Sequence, residues 1–141
     1  MSRQYSTSSS PALQIIFRTD AKPLRFSGVL LGARTIFDED NGESDTRVRL
    51  FRTEKGSFVW AWDRIEHGYL PDEPEPEQIQ RADALVISAT EGSRPATEVA
   101  ADAWNRRPTG NGRLAEASVR VWHDAARLDS NIADVLYTDV E

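Results

Sequence analysis

Two histidines, His67 and His123, are the first candidates for chemistry, because histidine often serves as a general base or as a metal ligand. They lie far apart in the sequence. Neither has a second histidine or a carboxylate at a spacing that would place both ligands on one face of a helix. Asp124 adjoins His123, but adjacent residues point to different sides of a helix. The pattern favours two surface histidines over a metal site or a histidine base.

Other catalytic signatures are missing from the sequence. The chain contains no cysteine, which excludes disulfides, thiol catalysis and cysteine metal sites. No phosphate-binding glycine loop and no nucleophile elbow occurs. Acidic residues 38–45 resemble a calcium loop, but Glu43 and Arg49 stand where an EF-hand needs glycine and glutamate. The pattern therefore favours a solvated acidic tip between two strands. We therefore rank an enzyme last among the candidate functions, and we predict no cofactor and no metal.

Three aromatic residues alternate along one predicted strand. Phe58, Trp60 and Trp62 share a face of that strand, and Arg47 and Arg49 of the preceding strand could lie beside them. One interpretation is an interaction surface, since aromatic and arginine side chains dominate binding hot spots. The other is the core face of a sheet, covered by a C-terminal helix. The large area that each aromatic ring can bury favours the core, and the interface stays open as the alternative.

Charge is divided unevenly along the chain. Residues 1–64 carry 10 Lys/Arg and 8 Asp/Glu, net +2, whereas residues 65–141 carry 7 and 15, net −8. An acidic half opposes binding to a nucleic-acid backbone and suits a basic protein partner. Four of these 15 acids lie in a proline-rich stretch, residues 68–78, which cannot form a helix interior and keeps its carboxylates exposed. The candidate contacts are Asp72, Glu73, Glu75 and Glu77.

The elements that would position these residues follow from periodicity and turn signals. Alternating and β-branched apolar patterns predict four strands, and apolar residues at helical spacing predict two helices. A short apolar run at residues 84–90 predicts a fifth strand, although a run of this length could also form a helix. Residues 114–128 fit either a helix or a strand, and their length favours a helix. The predicted strands cover residues 13–19, 24–37, 46–53, 57–63 and 84–90, and the predicted helices cover residues 95–106 and 129–137.

The predicted fold class is α+β. We expect an antiparallel β-meander of four to five strands with two or three C-terminal helices packed on one face. Residues 1–11 are predicted to be a disordered serine-rich arm, and residues 12–141 a single domain with an acidic, proline-rich loop at 68–78. No apolar run reaches the length of a membrane span, and the N-terminus lacks the apolar stretch of a secretory signal. A cytoplasmic location is therefore expected.

Two segments together resemble a known bacterial pattern. They are residues 24–32, with the sequence LRFSGVLLG, and residues 48–59, with the sequence VRLFRTEKGSFV. An F-x-G-x-L-L segment followed by an R-T-x-x-G-x-[FY]-V hairpin is similar to proteins of the EXLDI type and to small plasmid-associated relatives. The chain ends in YTDVE where those proteins have the E-x-L-D-I motif. The resemblance implies a β-rich domain of a bacterium or its mobile element, and it carries over no catalytic residue.

These observations favour a non-enzymatic protein-binding module of a bacterium or its mobile element. Its partner would be a protein, basic if the acidic segment makes the contact, or a second copy of the chain in a homodimer. The alternative is an anti-defence inhibitor, of the anti-CRISPR or antirestriction type, whose acidic half occupies a nucleic-acid-binding groove. Direct binding to nucleic acid or to a membrane is not expected.

Overall fold

A computed structural model of the chain describes residues 10–37, 44–67, 75–89 and 94–140. Within those residues it contains five β-strands, three α-helices and one 3₁₀ turn, Pro76–Gln78, which directly precedes the last strand. The strands are β1 (Ala12–Ile16), β2 (Leu24–Ile36), β3 (Ser44–Thr53), β4 (Phe58–Glu66) and β5 (Ile79–Ile87), and the helices are α1 (Ala96–Asn105), α2 (Gly112–Ala125) and α3 (Ser130–Leu136).

The strands form one antiparallel sheet in the order β1-β2-β3-β4-β5, and the three helices follow it in the sequence. The predicted α+β meander with C-terminal helices is thereby confirmed. Sequential pairing suits short connections, since neighbouring antiparallel strands need only a tight turn. In the β3–β4 turn, Gly56 adopts a φ of 86°, a conformation that favours glycine, and its amide donates to the carbonyl of Thr53 at 2.9 Å.

Strand β5 is longer than its apolar run. The sequence predicts a strand from residue 84, yet β5 begins at Ile79 and its first half pairs with β4. Arg81 and Asp83 in this half are exposed, because a strand at the edge of a sheet can carry polar residues on its solvated side. The predicted boundary was wrong because these charged residues interrupt the apolar pattern without interrupting the backbone ladder.

The ambiguous segment at 114–128 is resolved as helix α2. Asn111 caps the helix, and its side chain accepts a hydrogen bond from the amide of Leu114 at 2.9 Å. The helix buries one face at helical spacing, as an amphipathic helix packed on a sheet does. The buried residues are Ala117, Ser118, Val121, Trp122 and Ala125.

The helices cover one face of the sheet, here called the helix face. Trp60 of β4 is fully buried there and stacks with Trp122 of α2, with ring centroids 6.3 Å apart. Trp104 of α1 also contacts Trp122, with a centroid distance of 5.2 Å. The indole N–H of Trp60 donates to the carbonyl of Ala103 at 2.8 Å. This bond satisfies a buried polar group and holds α1 against the strand.

The opposite face, here called the inner face, carries a smaller apolar cluster whose members all come from β-strands. They are Ile16, Phe51, Val59 and Ala61. The sheet curls around this cluster, so that the segment after β1 reaches the far edge of the sheet. The amide of Thr19 donates to the carbonyl of Ala82 at 2.8 Å, and the amide of Ala82 donates in return to the Thr19 hydroxyl at 2.7 Å. Curling thus covers the second apolar face.

A β-bulge in β2 brings α2 close to the sheet. The register between β2 and β3 shifts between Leu30 and Gly32, as is typical of a strand that contains glycine. A Cβ atom on Gly32 would lie 3.0 Å from the carbonyl oxygen of Val121, so a larger residue would push the helix away. Nearby, Arg34 donates two hydrogen bonds to Asp124, at 2.7 and 3.1 Å, which raise the pKa of Arg34.

Replacement of Trp60 by alanine should lower the free energy of unfolding by about 3–5 kcal/mol, because it leaves a cavity and removes the bond to Ala103. Urea unfolding followed by circular dichroism measures this change. Trp62→Ala is the matched control: Trp62 lies on the same face but is only partly buried, so its loss should cost clearly less. A cost for Trp60→Ala of less than about 1 kcal/mol, no larger than that of Trp62→Ala, would place Trp60 outside the core.

Candidate functional site

A pair of oppositely charged side chains is buried on the inner face. Arg47 of β3 lies directly opposite Asp63 of β4, and each residue is 4% exposed. The guanidinium donates two hydrogen bonds to the carboxylate, from Nε to Oδ1 at 3.0 Å and from Nη2 to Oδ2 at 2.6 Å. Arg49 approaches the same Oδ2 at 3.5 Å. Such close pairing is needed because removing either charge from water is costly.

The β3–β4 register explains this arrangement and corrects one expectation. Residues directly opposite each other on antiparallel strands share a face of the sheet. Trp60 lies opposite Leu50, whereas Arg49 lies opposite Ala61. The expectation that Arg47 and Arg49 lie beside the aromatic residues was therefore wrong. The arginines belong to the inner face and the aromatic residues to the helix face, so the two sets do not form one surface.

A carboxylate–histidine pair lies near the buried ion pair. Asp45 of β3 is fully buried, and its Oδ1 lies 2.7 Å from Nδ1 of His67, which follows β4. The sequence places Asp45 in a solvated acidic tip, and this was wrong: β3 begins at Ser44 and carries Asp45 into the sheet, where a buried carboxylate needs a polar partner. The side chain of His67 is 32% exposed, so it is half-buried where a surface position was expected.

The Asp45–His67 pair could orient a general base, since a carboxylate on one ring nitrogen leaves the other nitrogen to take a proton. Among the described residues, however, His67 makes no hydrogen bond to a hydroxyl group that it could activate. Within the same segments, no three His, Asp or Glu side chains gather around a common metal position. What the pair does in this arrangement is give the buried carboxylate a polar partner.

The three candidate aromatic residues lie on one face but at different depths. Phe58 is 1% exposed and Trp60 is 0% exposed, so neither can touch a partner in this fold. Trp62 is only partly buried and lines a cavity of about 140 Å³ next to Arg64 and the start of α2. The core interpretation thus describes Phe58 and Trp60, and of the three only Trp62 keeps access to solvent.

The acidic candidate contacts are only partly within the described chain. Asp72 and Glu73 lie outside the described residues, as do residues 1–9 of the predicted arm. Glu75 and Glu77 are exposed. The amide of Glu75 donates to the side chain of Gln78 at 2.7 Å, so the acidic segment ends in a compact turn before β5. Contact between these carboxylates and a basic partner stays a prediction.

An exposed row of apolar side chains lies on β1. Leu13 and Ile15 are 67% and 62% exposed, and Phe17, immediately after the strand, is 47% exposed. Alternation places the three side chains on one side of the sheet, and we call them the β1 row. Sequence analysis identified the strand but not this exposure, because alternation shows which residues share a face and not what covers that face.

No family model, curated protein or solved structure matches the chain. The resemblance to proteins of the EXLDI type therefore stays a prediction. In the part of the chain that the structure describes, no helix is both long enough and apolar enough to cross a membrane. Any functional assignment rests on the surface and the cavities of the chain itself.

Replacement of Asp63 by asparagine should lower the free energy of unfolding by about 3–5 kcal/mol. The substitution removes the carboxylate that faces the Arg47 guanidinium, while the guanidinium stays buried. Asp124→Asn is the matched control. The Arg34–Asp124 pair makes the same two hydrogen bonds, but its side chains are 46% and 27% exposed, so its loss should cost under about 1 kcal/mol. If urea unfolding shows that both substitutions lower the free energy of unfolding by a similar, small amount, the Arg47–Asp63 pair is solvated.

Proposed function

We propose that this chain is a non-enzymatic protein-binding module that holds its partner along β1. The observation that carries the proposal is the β1 row, whose three apolar side chains are 47% to 67% exposed. Folded proteins seldom leave an apolar row on an edge strand, because such a strand is a template for pairing with another chain. A row of this kind is expected where a partner covers it.

The backbone of β1 supports the same proposal. β1 stands at one edge of the sheet, and among the described strands it pairs only with β2. The Thr19–Ala82 contact lies beyond the end of the strand. Within Ala12–Ile16, the outer edge makes no backbone hydrogen bond to another described element. A strand added there would gain main-chain hydrogen bonds and would contact alternate side chains of β1.

The absence of charge along this edge indicates what kind of partner would fit. Residues 10–17 read SPALQIIF, without the lysine or glutamate that usually protects an edge strand. We therefore favour a partner that presents an extended, largely apolar segment. Exposed Glu75 and Glu77 would add long-range attraction if that partner were also basic. The assignment to a bacterium or its mobile element rests on the sequence resemblance alone.

Ile15→Lys tests the proposal by placing a charge in the middle of the β1 row. A displayed library of random linear peptides is selected against the native chain, and the affinity of the selected peptides is measured by calorimetry. We expect Ile15→Lys to weaken binding about tenfold or more. The free energy of unfolding should change by less than about 0.5 kcal/mol, because the Ile15 side chain is already exposed.

Val140→Lys is the matched control, because Val140 is 89% exposed and follows α3. Peptide binding should persist in this variant, and the peptides should shift the backbone amide signals of β1 and the start of β2. A selection that yields no binder, or binders that Ile15→Lys leaves unaffected, would contradict the proposal. Sedimentation of the native chain alone measures its oligomeric state, and therefore shows whether a second copy of the chain can act as the partner.

A further inference from the structure

The curled sheet leaves a cavity of about 470 Å³ at one end of the inner face. The start of β2, the β3–β4 turn and the strands β4 and β5 border it, and its apolar wall consists of Leu24, Phe26, Val59 and Val86. Val86 lies opposite the buried Val59 and shares its face of the sheet, yet Val86 is 43% exposed. A packed interior would fill such a space with side chains, so the wall is open to an apolar group from outside.

The rim of the cavity carries no net charge. Glu54 and Lys55 of the β3–β4 turn are exposed there and have opposite charges. Arg25 lies opposite Ile15 in the β1–β2 register, so its side chain belongs to the face of the β1 row and points away from the wall. An ion of either sign gains little at such a rim, whereas burial of an apolar group against the wall is favourable.

The backbone of β5 beside this cavity is unpaired on its outer side. Ala82 directs its amide and its carbonyl outward, because both bond to Thr19 beyond the edge of the sheet. Backbone groups of alternate residues point to the same side of a strand, so those of Ala84 and Val86 also point outward. The Ala84 amide donates to the side chain of Asp83 at 2.8 Å. Among the described residues, no group bonds to the Ala84 carbonyl or to the amide and carbonyl of Val86.

We propose that β5 is a second site of strand addition, where an extended partner segment pairs with Val86 and inserts an uncharged apolar side chain into the cavity. In an antiparallel pair, the residue opposite Val86 exchanges two main-chain hydrogen bonds with it. Opposite residues share a face of the sheet, so the side chain of that residue enters the cavity and covers Val59. The site lies at the opposite edge of the sheet from β1, so the proposal does not rest on binding at the β1 row.

The probe is the end-capped peptide KTVTFTVTE, whose two charges cancel and whose valines and phenylalanine share one side of a strand. Two matched peptides change only its centre. One has glutamate in place of phenylalanine, and the other carries a methyl group on the phenylalanine amide nitrogen. Amide chemical shifts of the isotope-labelled native chain follow each titration.

We expect saturable binding of KTVTFTVTE with a Kd of about 0.1–1 mM, and shifts concentrated at β5 and the cavity lining. Both matched peptides should bind at least about tenfold more weakly, because one brings a charge to an apolar wall and the other cannot form the main-chain pair.

Val86→Pro tests the main-chain pairing from the side of the protein. Proline lacks the amide N–H, and an edge strand tolerates it where that N–H faces solvent, so circular dichroism should show an unchanged fold. Binding of KTVTFTVTE should weaken at least about tenfold. Val86→Ala is the matched control: it keeps the amide and shortens a side chain that is already 43% exposed, and it should weaken binding less than about threefold.

The proposal is overturned if KTVTFTVTE shifts no amide of the cavity lining at about 5 mM, or if methylation of the peptide leaves its affinity unchanged. Equal binding of the peptide with central glutamate would overturn the apolar anchor. Shifts that are confined to β1 and vanish in Ile15→Lys would also overturn the site at β5. Binding at β5 should survive Ile15→Lys, and binding at the β1 row should survive Val86→Pro, so each site can fail without the other.

Discussion

A sheet with two apolar faces and one layer of helices has to cover its second face by itself. In this chain α1 and α2 cover the helix face, where Trp122 packs against both Trp60 and Trp104. The apolar residues of the inner face are packed by strand residues alone. The sheet therefore curls until Thr19 reaches Ala82. Burial of apolar area drives this closure, and the natural twist of β-strands gives it a direction.

The curl determines the chemistry of the rest of the molecule. It encloses the charged end of the inner face, so Arg47 must pair with Asp63 and each is held in place by the other. It joins the two edges of the sheet at one point and leaves the cavity beside Val86. The helices do not cover β1, and the β1 row stays exposed. The ion pair, the cavity and the β1 row are thus three results of one packing constraint.

Periodicity and turn residues were enough to predict the strands and helices. They did not predict which side chains the curled sheet buries and which it leaves exposed. The turn at Gly56 predicts the β3–β4 hairpin, and counting outward from that turn would have placed Arg47 opposite Asp63. The sequence could not distinguish the β1 row from the strand of Trp60, because both alternate in the same way and helices cover only the second. Exposure and the cavity depend on contacts between distant parts of the chain, which no local pattern encodes.

Hydrogen exchange of the Ala82 amide tests the curl most directly. In the curled sheet this amide donates to the Thr19 hydroxyl at 2.7 Å, although β5 is an edge strand. In a flat sheet the same amide would face water. Native-state exchange followed by NMR should show the Ala82 amide protected nearly as strongly as amides of β3, and Thr19→Val should accelerate its exchange. Exchange of Ala82 as fast as in an unstructured peptide would contradict the curled sheet.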